Sequence, residues 1–289
     1  MKKRPNNRTK PKVRLAKVLA LQEEEIARIT AKPSLPPVGL EYELDDATLI
    51  DVTYRAWIDY KDHGRNDPTQ VVAGTSSSLS FSVDFGGVIQ GGVLHVVTVF
   101  RYRTADGETG SLSRDKDTWS ILGENPAKTV VKSYLGEIEL QVIAYLESEK
   151  TFCQFYKKDE KNEGLPRYSR TDDGGFGIMQ LTNSPVPTPR QIWDWKQNID
   201  GGKKHYAEAQ RVVRQHYKNE RQDHPEMRDL TVDEYKLAFY QHYNSGTFYF
   251  GWDKEKKDWI KNAPNNYGDL CFKFEKLVRN GNLPPGWND

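Results

Sequence analysis

Glu147 closes the run "EIELQVIAYLESE", in which Ile138, Leu140, Val142, Ile143 and Leu146 crowd together more densely than a surface helix needs. A carboxyl at the end of a buried helix resists ionisation, so it can hold a proton near neutral pH and deliver it as a general acid. Downstream, Asp172 and Asp173 open the glycine-punctuated stretch "DDGGFGIMQLT". A polar loop of that kind is wet, and its carboxylates stay ionised. Two carboxyl groups whose surroundings push their proton affinities apart are what cleavage of a glycosidic bond requires. Position alone favours a plainer role for Glu147, a helix-end glutamate in a salt bridge.

Helix signals surround Glu147. Asn125 suits an N-cap, Pro126 the first helical position and Gly136 a helix stop. "TPRQIWDWKQNI" opens on a capping box, Thr188 with Gln191, and "TVDEYKLAFYQHY" on another, Thr231 with Glu234. Ala209, Val212, Val213, His216 and Tyr217 share one helical face, and so do Tyr235, Ala238, Phe239, His242 and Tyr243. The C-terminal half is therefore expected to be mainly α. From Gly39 to about Ile121 the texture is β, with "SLSFSVDF" and "GVLHVVTVFRYR" separated by turn signals such as "ADGETG". Short strands at this spacing predict a β-sandwich of immunoglobulin-like type. Residues 12–31 carry the spacing of one short amphipathic helix, and "KPSLPP" reads as a linker after it. The expected fold is α+β and multidomain. Residues 1–37 would form a basic arm, short helix and Pro-rich linker, residues 38–122 a β-sandwich module, and residues 123–289 the mainly α domain.

With 36% apolar and 11% aromatic residues in 289, the chain can bury a real core. No apolar stretch approaches the roughly 20 residues that span a bilayer, and the basic start leads into too short an apolar run for an export signal. Residues 1–17 hold eight Lys/Arg and no acid, leaving 34 basic against 41 acidic residues in the rest. A basic arm suits nucleic acid or an anionic surface, but it equally suits a solvated tail, and the acidic body argues against a nucleic-acid enzyme. None of the six histidines forms HExxH or a similar ligand spacing, which disfavours a zinc hydrolase; no metal or cofactor is expected. Cys153 and Cys271 fit no zinc or CxxC spacing; one disulfide or two free packed thiols both remain open.

Taken in order, Glu147-Ser148, "GGFGIMQLT" (174–182), "NIDGG" and "YNSG" (243–246) resemble the lysozyme-like superfamily of lytic transglycosylases and goose-type lysozymes, over residues 126–260. The resemblance implies a lysozyme-like fold and a muramidase that cuts the β-1,4 bond between N-acetylmuramic acid and N-acetylglucosamine. Glu147 would be the catalytic acid, with Ser148 close to the cleavage site. Gly175, Gly177 and Ile178 would line the sugar groove by their backbone. Met179 and Gln180 would pack under and contact the sugar, and Tyr243 and Asn244 would face the acid across the cleft. Goose-type lysozymes carry an aspartate upstream of the glycine loop and another after the Met-Gln pair. Here Thr171 stands opposite the first, flanked by Asp172 and Asp173, and Thr182 stands opposite the second. Hydrolysis with Asp172 or Asp173 as base is the expectation. A transglycosylase forming 1,6-anhydro ends is the alternative, and a non-enzymatic glycan-binding module is the rival of a different class. A β module ahead of such a domain also resembles antibacterial effectors of type VI secretion, and less closely phage endolysins. That likeness implies peptidoglycan strands, a delivery protein and an immunity protein as partners, action in the cell wall of a target bacterium, and a monomer without nucleic acid or membrane span.

Overall fold

A computed structural model describes residues 11–18, 26–152, 155–157, 163–169, 174–182 and 186–288. The protein is mixed α and β, with one large sheet and six helices that all lie in the C-terminal part of the described chain. Two compact units divide it: residues 1–124 with 163–165, and residues 125–162 with 166–289.

In the first unit, strands β1 (Lys12–Val18), β2 (Ile26–Ile29), β3 (Val38–Asp45), β4 (Ala47–Tyr60), β5 (Asp67–Pro68), β6 (Val72–Ser76), β7 (Ser80–Val83), β8 (Gly92–Thr104) and β9 (Thr109–Gly123) form two sheets. The larger runs β2-β9-β8-β4-β5 with β6 also on β4, and the smaller runs β1-β3-β7. Apolar residues alternate inward at period two: Val52, Ala56, Ile58 and Tyr60 on β4, Leu94, Val96 and Phe100 on β8, and Val38, Leu40 and Tyr42 on β3 are all buried. Side chains of the two sheets touch, for the Tyr42 ring meets Phe100 edge-on at 5.0 Å. The Tyr42 hydroxyl also donates to Asp117 of β9 at 3.2 Å.

The helix expected over residues 12–31 is replaced by two strands. Lys12–Val18 pairs antiparallel with β3, while Ile26–Ile29 pairs in parallel with Ser120–Gly123 of β9. Amphipathic spacing is a weak local preference, and the open edges of both sheets offer backbone partners that outweigh it.

The second unit holds α1 (Lys128–Leu135), α2 (Ile138–Glu147), α3 (Pro189–Trp193), α4 (Trp195–Asp223), α5 (Val232–Ser245) and α6 (Tyr267–Arg279). It also holds a hairpin, β10 (Phe250–Asp253) with β11 (Asp258–Lys261), which the helical patterning did not predict. Both capping boxes form with their reciprocal bonds, Thr188 with Gln191 and Thr231 with Glu234. Asn125 does not cap α1, which starts two residues beyond Pro126 behind Ala127. Its amide is taken up elsewhere: Oδ1 accepts from the N–H groups of Phe155 and Tyr156 at 2.9 and 2.8 Å. The tryptophan-rich segment is not one helix either. Asp194, at φ −116°, ends α3 and begins α4, its carboxylate accepting from the N–H groups of Lys196 and Gln197. Among the described residues no helix is long and apolar enough to cross a membrane.

Candidate active site

The site starts from the burial of α2. Val142, Ile143, Ala144 and Tyr145 are buried in succession, so the middle of this helix is enclosed on every side. Glu147, half-buried, is its last residue. The chain then turns sharply, with Glu149, Lys150 and Phe152 at φ of 52°, 68° and 59°. A non-glycine residue in the left-handed region costs about 1 kcal/mol or more and persists only where its surroundings enforce it. Two contacts enforce it here. Ser148 Oγ accepts from the Phe152 N–H at 2.8 Å, and the buried Phe152 ring packs edge-on against Trp287 at 4.8 Å. Ser148 is wholly buried and acts as a brace behind Glu147, not as a wall of the site.

The glycine loop forms the second support. Phe176 and Leu181 exchange both backbone hydrogen bonds, at 2.9 and 3.0 Å, which closes 176–181 into a tight loop. Asn198 of α4, itself fully buried, clamps it: Oδ1 accepts from the Met179 N–H and Nδ2 donates to the Phe176 carbonyl, each at 2.9 Å. Gly177 sits at φ +77°, and a Cβ there would lie 2.5 Å from the Phe155 ring and 2.6 Å from the Asn198 amide. Only glycine allows both the backbone turn and the clamp. Gln180, also in the left-handed region at φ 45°, donates from Nε2 to the Gly177 carbonyl at 2.7 Å. The Tyr243 hydroxyl of α5 donates to the Met179 carbonyl at 2.9 Å, joining α5 to the loop.

These supports enclose a cavity of about 420 Å³ that Glu147, Met179, Gln180, Thr182, Tyr243 and Asn244 line. Gly175, Gly177 and Ile178 are buried and do not line it; they hold the loop's shape from within. Asp172 and Asp173 lie outside the described residues, as do Thr171 and Cys153. Cys271 is a free, fully buried thiol.

Several lining and neighbouring groups escaped the sequence analysis. Tyr267 and Cys271, one turn apart on α6, stand behind Glu147. Burial first, then the charges of Cys271 and Glu147, push the Tyr267 phenol well above its usual range. Burial and then Glu147 push up Tyr243 as well. Burial raises the Cys271 thiol, opposed by a hydrogen bond with Tyr267 and reinforced by Glu147. Glu147 therefore has neutral, protonated neighbours on its protein side. On α4, Gly201, Lys204, His205 and Glu208 form one wall at helical spacing. The spacing from "NIDGG" onward was the available signal for that wall. His205 Nε2 lies 3.0 Å from the Tyr243 carbonyl, one of the last carbonyls of α5.

A half-exposed carboxyl on a rigid helix end, with an amide and a phenol-bearing helix across a cavity, can protonate a bound ether or acetal oxygen. Among the described residues no group of three or more His, Cys, Asp or Glu is placed to hold a metal ion. Comparison with family models, with curated proteins and with solved structures finds no match to this chain.

Proposed function

We propose that this chain is a peptidoglycan muramidase whose second unit is a lysozyme-like domain and whose first unit is an immunoglobulin-like sandwich. The single observation that carries the proposal is the convergence of Glu147, Gln180, Tyr243 and Asn244 on one cavity from three separate parts of the chain. The ordered motifs of the sequence single out the same residues. In this reading Glu147 gives its proton to the glycosidic oxygen as the bond to the muramyl C1 breaks. Water then adds to C1 and releases a proton to a base, which the sequence assigns to Asp172 or Asp173. The enzyme would act in the cell wall of a target bacterium after secretion.

A second reading keeps its place because Thr182, without a carboxylate, lines the cavity where goose-type lysozymes carry one. A transglycosylase needs no base for water: Glu147 protonates the leaving glycosidic oxygen and, as the carboxylate, takes the proton of the muramyl C6 hydroxyl as that oxygen attacks C1 and closes a 1,6-anhydro ring. Mass spectrometry of digested peptidoglycan separates the two, because reducing ends exceed anhydro ends by one water. For either outcome, Glu147→Gln should lower the rate of glycan cleavage at least about 100-fold while far-UV circular dichroism stays unchanged. Cleavage by that variant at the parental rate refutes the assignment of the acid.

A further inference from the structure

The wall that α4 contributes to the cavity has an unusual charge arrangement. Lys204 and Glu208 stand four residues apart, the spacing at which a lysine and a glutamate on one helix face normally pair. Glu208 instead gives both oxygens to Arg211, at 2.5 and 2.9 Å. That two-point bridge holds the Glu208 carboxyl below its usual range, with Arg211 the main cause. Among the described residues Lys204 has neither an ion-pair partner nor a hydrogen bond from its ammonium, and it is exposed on the cavity wall. The neighbouring cation that would compete for an anion, Arg211, is already neutralised. Among the described residues, a lysine without a partner thus lines the cavity in a chain whose body, beyond its basic arm, carries an acidic excess.

A neutral glycan gives such a cation nothing to bind, whereas a muramyl unit brings a carboxylate. Resting on the muramidase proposal, we infer that Lys204 binds a carboxylate of the muramyl unit and thereby selects acidic peptidoglycan over neutral polymers of N-acetylglucosamine. That carboxylate sits on the lactyl group where the stem peptide has been removed, and on the stem where it is present. Both sources offer the same chemistry, an exposed anion within reach of a flexible four-carbon side chain. Lys204 is here a specificity residue, and proton transfer remains with Glu147.

The test is isothermal titration in the Glu147→Gln protein, which does not consume its ligand. Three soluble glycans are compared: stem-bearing strands, strands stripped of stems by an amidase, and a neutral N-acetylglucosamine oligomer. Adding Lys204→Glu should weaken at least one acidic glycan about 10-fold, as expected for losing a charged contact, and the neutral oligomer less than about twofold. The arm that loses affinity identifies which carboxylate is bound, and Lys204→Arg should restore most of it. The parent's affinity for that glycan should fall with added salt, and the Lys204→Glu protein's should not. Equal loss on all three ligands, or no loss on either acidic one, overturns the inference while leaving the muramidase proposal standing. Absence of binding to any of the three by the parent protein overturns both.

Discussion

The two units position their parts by different means. Among the described residues the first unit buries Gln90 and Thr98 as its polar side chains, whereas the second buries Ser148, Asp194, Asn198, Gln241 and Glu275. The cause lies in where backbone hydrogen bonds run. Strands bond to their neighbours, so β4, β8 and β9 fix one another's register through the ladder itself. A helix spends its backbone bonds within itself, so the relation of one helix to the next rests on packing and side chains. Each buried polar group of the second unit meets that need. Ser148 and Asn198 hold turns and loops as described, and Asp194 joins α3 to α4. Gln241 accepts from the Gly268 N–H at the start of α6, at 3.3 Å. Glu275 of α6 binds Lys236 and Tyr240 of α5, the latter at 2.8 Å. A satisfied polar network inside a core specifies one arrangement, which packing alone does less well. The candidate site lies in the unit built this way.

The largest effect that sharpens this contrast is expected at a purely apolar position of the first unit. Phe100→Ala empties a fully buried ring site and should cost about 3–5 kcal/mol of stability, read by chemical denaturation. At 25 °C the folded variant should still cleave soluble glycan at close to the parental rate. A loss of cleavage as large as the loss of stability breaks the division of labour between the units.

A mutation in the second unit should behave in the opposite way. Asn198→Leu keeps the size of the side chain but leaves the Met179 N–H and the Phe176 carbonyl without their 2.9 Å partners. Two buried backbone groups left unsatisfied cost about 2–6 kcal/mol together, and we expect about 3. The loop that carries Gln180 should then lose its shape, and cleavage should fall more than about 10-fold, since misplacing a binding group by about 1 Å costs up to 100-fold. Asn198→Leu with cleavage intact would detach the buried polar set from the site.

The same contrast explains what the sequence could and could not reveal. Capping boxes are local chemistry, and Thr188/Gln191 and Thr231/Glu234 were legible for that reason. The β texture of residues 39–121 was legible because strand periodicity is local too. Lys12–Val18 and Ile26–Ile29 were misread as helix because their partners, Leu40–Asp45 and Ser120–Gly123, are remote in sequence. Asn125 was misassigned because the backbone groups it satisfies lie about 30 residues downstream. Around the cavity, Glu147, Gln180, Tyr243 and Asn244 stand in short motifs, which is why the sequence singles them out. Asn198 opens the "NIDGG" motif, but its clamp on the glycine loop, like the placement of Tyr267 and Lys204, comes from the packing of α4 and α6, which no local pattern shows.

The smallest expected effect concerns how α5, which carries Tyr243 and Asn244, is anchored at its start. Glu234 accepts from the Thr231 N–H at 2.7 Å and from Arg228 at 2.7 and 2.8 Å. Arg228 is the main reason that its carboxyl is held at about 2, below its usual 4.5. A depressed carboxyl stabilises the fold fully above its unfolded value and loses that contribution as pH falls through its folded one. The relevant window is therefore from about pH 4.5 down to about 2. Arg228 is 42% exposed, so water and salt screen the pair. Glu234→Gln keeps an acceptor for the Thr231 N–H but removes the charge, and should cost about 1 kcal/mol at pH 7. In thermal unfolding at low ionic strength the two proteins should differ at pH 7 and converge as the pH approaches 2. Because α5 is tied at its far end by Tyr243 and through Gln241, glycan cleavage at pH 7 should hardly change. A gap in melting temperature that stays constant down to pH 2 would show that the ionised form of Glu234 adds nothing, and that the capping box alone anchors the helix.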